Sequence, residues 1–250
     1  MTTLLSLGSI RNVLARLEET IIFGVIERAQ FRQNRIIYKP DGVGRGLGGL
    51  SLVGFLLREC ERSHAKVRRY TGPDEHPFFS GLPAPILPVF RHENPLRPNA
   101  INLNVRVRDA YENEIVPLVC ESGDDKQWGS SAVNDVYLLQ AISKRVHYGK
   151  FVAEAKRRAQ PRRFAALAAT GDDAAILDAV TDAAVEKQVV ARVRGKAAAL
   201  AQEFGARPGR YKVKPSLIAE IYRRWIIPLN KDVQVLYLLA RPEPAPRGLR

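Results

Sequence analysis

Apolar positions recur along the start of the chain with the period of a helix. Ile10, Leu14, Leu17, Ile21 and Val25 are separated by four, three, four and four residues, the spacing that places side chains on one face. The pattern predicts a long opening helix from Ser9 to about Phe31, with Ser9 as its N-cap. A glycine-rich loop over 40–49 and a helical stretch over 50–70 follow. Between Pro73 and Pro98 the prolines are too frequent for a helix, because each removes an amide donor, so this segment is expected to be irregular.

Helical patterning resumes over 105–120, where Ile115, Leu118 and Val119 form an apolar face, and stops at Gly123-Asp124-Asp125. Gly129, Ser130 and Ser131 are expected to cap the next helix, which runs through both Arg145 and Lys156. Residues 172–204 read as one or two helices with Gly205 as C-cap. Two more helices, 215–225 and 229–240, are expected to be separated near Pro228. No convincing set of alternating strands occurs, so the predicted class is all-α: one large helical-bundle domain over 1–240 and a tail, 241–250, that frays. Gly44, Gly46 and Gly49 match the spacing of a dinucleotide-binding loop, but without a preceding strand they read as a flexible loop.

Composition narrows the partners. The 250 residues carry 39 Lys and Arg against 26 Asp and Glu, a net charge of +13, which directs attention to nucleic acid, an anionic membrane surface or a small anionic substrate. Cys60 and Cys120 are the two cysteines and lack metal-site spacing, which favours a reducing compartment without structural zinc. No apolar run approaches the roughly 18 residues of a membrane span. The expected location is the cytoplasm, with a plastid or secreted setting as the alternative where a leader has been removed.

Candidate chemistry concentrates on 143–156. At about 100° per residue, the eleven steps from Arg145 to Lys156 amount to three turns plus roughly 20°, so a single helix would place both cations on one stripe. Gly149 lies between them, at a cost of about 1 kcal/mol relative to alanine in a helix, and would leave a notch with positive walls. Arg11 lies in the first turn of the opening helix, and Asp182 with Glu186 and Asn230 with Gln234 are pairs at i,i+4. Together these residues offer three cations, two carboxylates and two amides, a mixture suited to an anionic, hydroxylated small molecule.

At these residues the chain resembles the eukaryotic-type chorismate mutases. The resemblance runs from about Ile10 to Arg241, through Arg16-Leu-Glu-Glu-Thr-Ile-Ile-Phe, Ile26-Glu-Arg, Gly72-Pro-Asp-Glu-His-Pro-Phe-Phe, Gly123-Asp-Asp, the stretch Arg145 to Lys156, Ala184-Val-Glu and Ile226-Ile-Pro-Leu. It implies an all-helical enzyme of the shikimate pathway that rearranges chorismate to prephenate without cofactor, metal or covalent intermediate. Catalysis would come from holding a compact, chair-like conformer and from fixed charge aimed at the developing dipole.

By this resemblance Arg11 and Arg145 grip the two carboxylates, Lys156 donates to the ether oxygen, Glu186 holds the ring hydroxyl, and Asp182 and Asn230 fill supporting positions. Gln234 stands where the family commonly has glutamate. An amide donates at every pH, so activity is expected to extend through neutral pH. The resemblance also implies a homodimer that binds tyrosine or tryptophan between subunits through Arg68, Arg69, Gly129 and Ser130, with Val133 replacing a threonine. The other readings are a catalytically inactive mutase-like or basic helical binding protein, supported by Arg157, Arg158, Arg162 and Arg163, and an exported mutase. Neither nucleic acid nor membrane is an expected partner of the mutase.

Overall fold

The computed structural model describes residues 6–90, 93–207 and 209–240. Among the described residues the regular structure is helical, apart from one isolated bridge between Gln202 and Tyr211. The predicted tail, 241–250, lies outside the described residues.

The opening helix, α1 (Leu7–Arg28), starts earlier than its apolar pattern indicates. Ser6 is the N-cap, its Oγ accepting from the amide of Ser9 at 3.0 Å, so Ser9 lies inside the first turn. One face of α1 buries Ile21, Ile22 and Val25 in the core it shares with α5 (Trp128–His147) and α9 (Ala183–Leu200), while Ile10 belongs to a second apolar cluster with Phe151 and Val235. Helix α2 (Leu52–Lys66) is capped by Ser51, which accepts from the Gly54 amide, and also packs on α5.

The glycine-rich segment before α2 is a chain of turns around a short 3₁₀ helix, Arg45–Leu47, with no strand beside it. The proline-rich segment after α2 is irregular as expected, and side chains hold it in place. Glu61 accepts from the amides of Phe78 and Phe79, Lys144 pairs with Asp74 and Glu75 at 2.8 Å, and Lys150 Nζ lies 2.7 Å from His76 Nε2. The Gly72 to Phe79 motif thereby fastens an unstructured stretch to the helices that carry Arg145 and Lys156.

Two π segments alter the expected helices. Helix α3 (Asn104–Ala110) passes through Tyr111–Ile115 into α4 (Val116–Val119), and α10 (Pro215–Ile221) passes through Tyr222–Ile226 into α11 (Ile227–Leu239). Each π segment ends two residues before a proline, Pro117 or Pro228. The wider turn accommodates a residue that has no amide to donate. Pro228 is therefore absorbed into α11, and the expected separation of two helices there does not occur.

Other boundaries also differ. Helix α5 begins at Trp128 with Gln127 as N-cap, so Gly129, Ser130 and Ser131 lie inside its first turn and do not cap it. Asp125 anchors this end by accepting from Arg32 N, Asn34 Nδ2 and Gln127 N; these donors hold its carboxyl below the ordinary aspartate value despite the opposing effect of desolvation. The stretch 172–204 forms two helices, α8 (Asp173–Val180) and α9; α9 ends at Leu200 with Ala201 as C-cap, leaving Gly205 in the following loop. Helix α7 (Pro161–Thr170) was not anticipated from the pattern.

The core holds a buried charge with its partners. Arg28 Nε lies 2.7 Å from Asp135, and that carboxylate also accepts from the hydroxyls of Tyr38 and Tyr111 at 2.7 and 2.6 Å. Every participant is saturated, which is the condition for tolerating an ion pair away from water.

Candidate active site

Arg145 and Lys156 do not share one continuous helix. Helix α5 ends at His147, α6 (Gly149–Ala159) begins two residues later, and Tyr148 forms the junction. The cause lies on α11. Asn230 Nδ2 donates to the carbonyls of Arg145 at 3.2 Å and Val146 at 2.9 Å, inserting a side chain into the helical ladder. Gly149 is required because α11 passes so closely, not because two cations lean into a notch.

The break leaves both cations in one cavity. A space of about 530 Å³ is lined by Arg11, Arg145, Lys156, Asp182, Glu186, Asn230 and Gln234, the seven residues singled out for the substrate site. They come from α1, α5, α6, the N-cap of α9, α9 and α11. Asp182 is that N-cap, its carboxylate accepting from the Val185 amide at 3.1 Å, so it is not a helical i,i+4 partner of Glu186.

Arg145 is 5% exposed, and among the described residues its guanidinium has no carboxylate at ion-pair distance and its buried Nε has no hydrogen-bond partner. Burial drives its pKa down, with Tyr222 and Glu18 opposing. Four further buried polar atoms among the described residues lack hydrogen-bond partners, and two of them are Tyr222 Oη and Gln234 Oε1. Gln234 Nε2 donates to Asn230 Oδ1 at 3.0 Å. Lys156 donates to the carbonyl of Val180; desolvation lowers its pKa, and Asp182 and Glu186 act against that. Leaving a buried guanidinium unpaired costs free energy, so the site is organised to receive an anion.

The sequence reading missed two cations on the cavity wall. Arg192 is held by a two-pronged contact with fully buried Glu18, at 2.9 and 2.6 Å. Lys231 pairs with Glu186 at 2.9 Å. Val185, Val189 and Arg192, spaced by four and three, share one stripe of α9 beside Glu186, and this was the available signal for Arg192. Five lining cations stand against Asp182, Glu186 and the buried Glu18, a net of +2.

The residues implied for an effector do not meet within one chain. Arg69 contacts His64, Glu75 and Gln140, and Arg68 donates to the Pro88 carbonyl. Gly129, Ser130 and Val133 are exposed on the first turns of α5, and Gln140 is ten residues beyond Ser130, about 15 Å along a helix. The basic cluster is largely committed elsewhere, since Arg157 and Arg158 both pair with Glu154 and Arg163 contacts Gln160.

The chain is similar to known proteins over most of its length. A family model described as chorismate mutase type II matches residues 129–235. The chain is 45% identical over 246 residues to a chloroplastic chorismate mutase 1 of Petunia hybrida, covering 94% of this chain and 76% of that protein. It is 42% identical to the chorismate mutase of Schizosaccharomyces pombe, covering 95% and 96%. The crystal structure of a Candida albicans chorismate mutase in complex with L-Trp superimposes with a TM-score of 0.91 at 38% identity, covering 97% and 95%. On the strength of these near-complete matches, the protein belongs to the chorismate mutase family.

Proposed function

We propose that the cavity converts chorismate to prephenate by a Claisen rearrangement, as part of aromatic amino acid biosynthesis. The observation that carries this reading is the buried, unpartnered guanidinium of Arg145 in a cavity of net charge +2, the complement of a dicarboxylate. Arg145 and Arg11 grip the two carboxylates, for which guanidinium forks are suited. Lys156 donates to the ether oxygen as the carbon–oxygen bond breaks and negative charge builds there. Its lowered pKa reflects a desolvated setting in which fixed charge acts strongly.

Glu186, held by Lys231, accepts from the ring hydroxyl and faces the electron-poor ring; Asp182 supports it from the N-cap of α9. Gln234 approaches the ether oxygen with the Nε2 hydrogen it does not spend on Asn230. No proton transfer is needed, since one bond breaks and another forms in a concerted step. Residues up to 240 act as one catalytic unit, because the cavity draws on elements from Ile10 to Gln234.

A homodimer with an aromatic amino acid effector is supported by the L-Trp complex of the Candida relative and by the placement of the candidate residues. Arg68 on one chain and Gly129 with Ser130 on the other can close a site that a single chain leaves open. Exposed Val133 and Tyr137 on α5, beside exposed Phe23 on α1, offer an apolar face for the second copy. A reducing compartment, cytoplasm or plastid, is supported by Cys60 and Cys120, both free.

The test is loss of chorismate absorbance on addition of the protein, with and without tyrosine or tryptophan, in wild type and Arg68→Ala. Turnover with a response that Arg68→Ala removes is expected. Absence of prephenate would overturn the enzymatic reading, and an unaltered response in the variant would overturn the effector assignment.

A further inference from the structure

Asn230 lines the cavity, yet both ends of its amide are spent on the protein. The Nδ2 end faces the carbonyls of Arg145 and Val146, and the Oδ1 end accepts from Gln234 Nε2. The two carbonyls can only accept, so the nitrogen end must face them and Oδ1 must face position 234. Gln234 in turn must present its nitrogen to Asn230, which leaves Oε1 buried without a partner. The orientation of one amide fixes the orientation of the next.

We infer that Asn230 is a positioning residue: it holds the junction between α5 and α6 that sets Arg145 against Lys156, and it dictates which edge of Gln234 meets the substrate. Asn230 therefore acts through its neighbours and does not itself bind chorismate. The inference rests on the reading of the cavity as the mutase site, and turnover of chorismate by the wild type tests that reading separately.

The experiment compares the pH dependence of kcat in Gln234→Glu with that in Gln234→Glu combined with Asn230→Ser. In the single variant the new carboxyl faces an obligate acceptor, and only its protonated form can donate there. Activity should fall along an alkaline limb displaced above the ordinary glutamate value of about 4.3. A serine hydroxyl can donate to an ionised carboxylate, so in the double variant the limb should move down by about one pH unit, a tenfold change in proton affinity. Loss of helix packing alone lowers kcat without moving a limb. A limb at the same or higher pH in the double variant overturns the inference.

Asn230→Ser alone is expected to lower kcat about tenfold, within the range for residues that orient others, with KM changed much less; a change confined to KM overturns it. Should the double variant fail to fold, side-chain amide exchange in the wild type decides. The Nδ2 protons of Asn230 should exchange slowly, and exchange as fast as that of an exposed amide overturns the lock.

Discussion

A Cβ placed on Gly149 would lie 2.5 Å from the backbone carbonyl oxygen of Asn230 and 3.0 Å from its Nδ2. Backbone cannot rotate aside as a side chain can, so α11 itself would have to retreat. Gly149→Ala gains about 1 kcal/mol of helix propensity against a larger packing cost, and we expect a net loss of about 1–2 kcal/mol. Urea unfolding reads this directly, and kcat should fall because α11 carries Gln234. An unchanged midpoint would show that the two helices are not in this contact.

Arg145 exacts a stability cost in the empty protein. Arg145→Met should abolish most turnover yet raise the unfolding free energy of the substrate-free protein by about 1 kcal/mol or more, since methionine packs without an unpaired charge. Thermal unfolding together with initial rates tests both halves. A destabilised variant would mean that the guanidinium has a partner in solution.

Lys156→Ala removes the donor assigned to the ether oxygen. The expected loss is about 3–4 kcal/mol of transition-state stabilisation, or 10²–10³ in kcat, by analogy with removal of one oxyanion donor. Steady-state kinetics suffices to measure it. Near-normal kcat would withdraw the assignment.

Lys150, buried against Ile101 and His76, has its pKa lowered by desolvation from 10.5 to about 8. Between these values the unfolded chain binds more protons than the folded one, so folding stability from this group rises with pH across that window and its penalty is complete below it. The urea midpoint of the wild type should gain more between pH 8 and 10, a range taken from that shift, than that of Lys150→Gln. Equal gains in the two proteins would contradict a desolvated ammonium at this position.

The helical period in the sequence located most of the framework because each helix buries one continuous stripe, as in Ile10 to Val25 of α1. The seven residues named for the substrate line one cavity, and they were legible because their types declared the chemistry and the family resemblance supplied their order. What the sequence could not reveal depends on contacts distant along the chain. The break at Tyr148 is made by Asn230, and nothing within 143–156 announces it. Helix α7 is short and alanine-rich, burying Phe164 alone, so its pattern is too sparse to detect. The ion pairs Glu18 with Arg192 and Glu186 with Lys231 join separate helices, and charged residues taken singly look like ordinary surface.

The wide turn ahead of Pro228 has a geometric corollary for the catalytic wall. An extra residue accommodated between Tyr222 and Ile226 widens one turn and leaves the helix beyond in phase, where the same residue in an unbroken α-helix would rotate everything downstream by about 100°. Tightening that turn to a regular α-helix with all of its residues kept would swing Asn230 and Gln234 a quarter-turn or more away from Lys156. The irregularity works as a dial: the chain carries the right amides in α11, and the bulge upstream aims them.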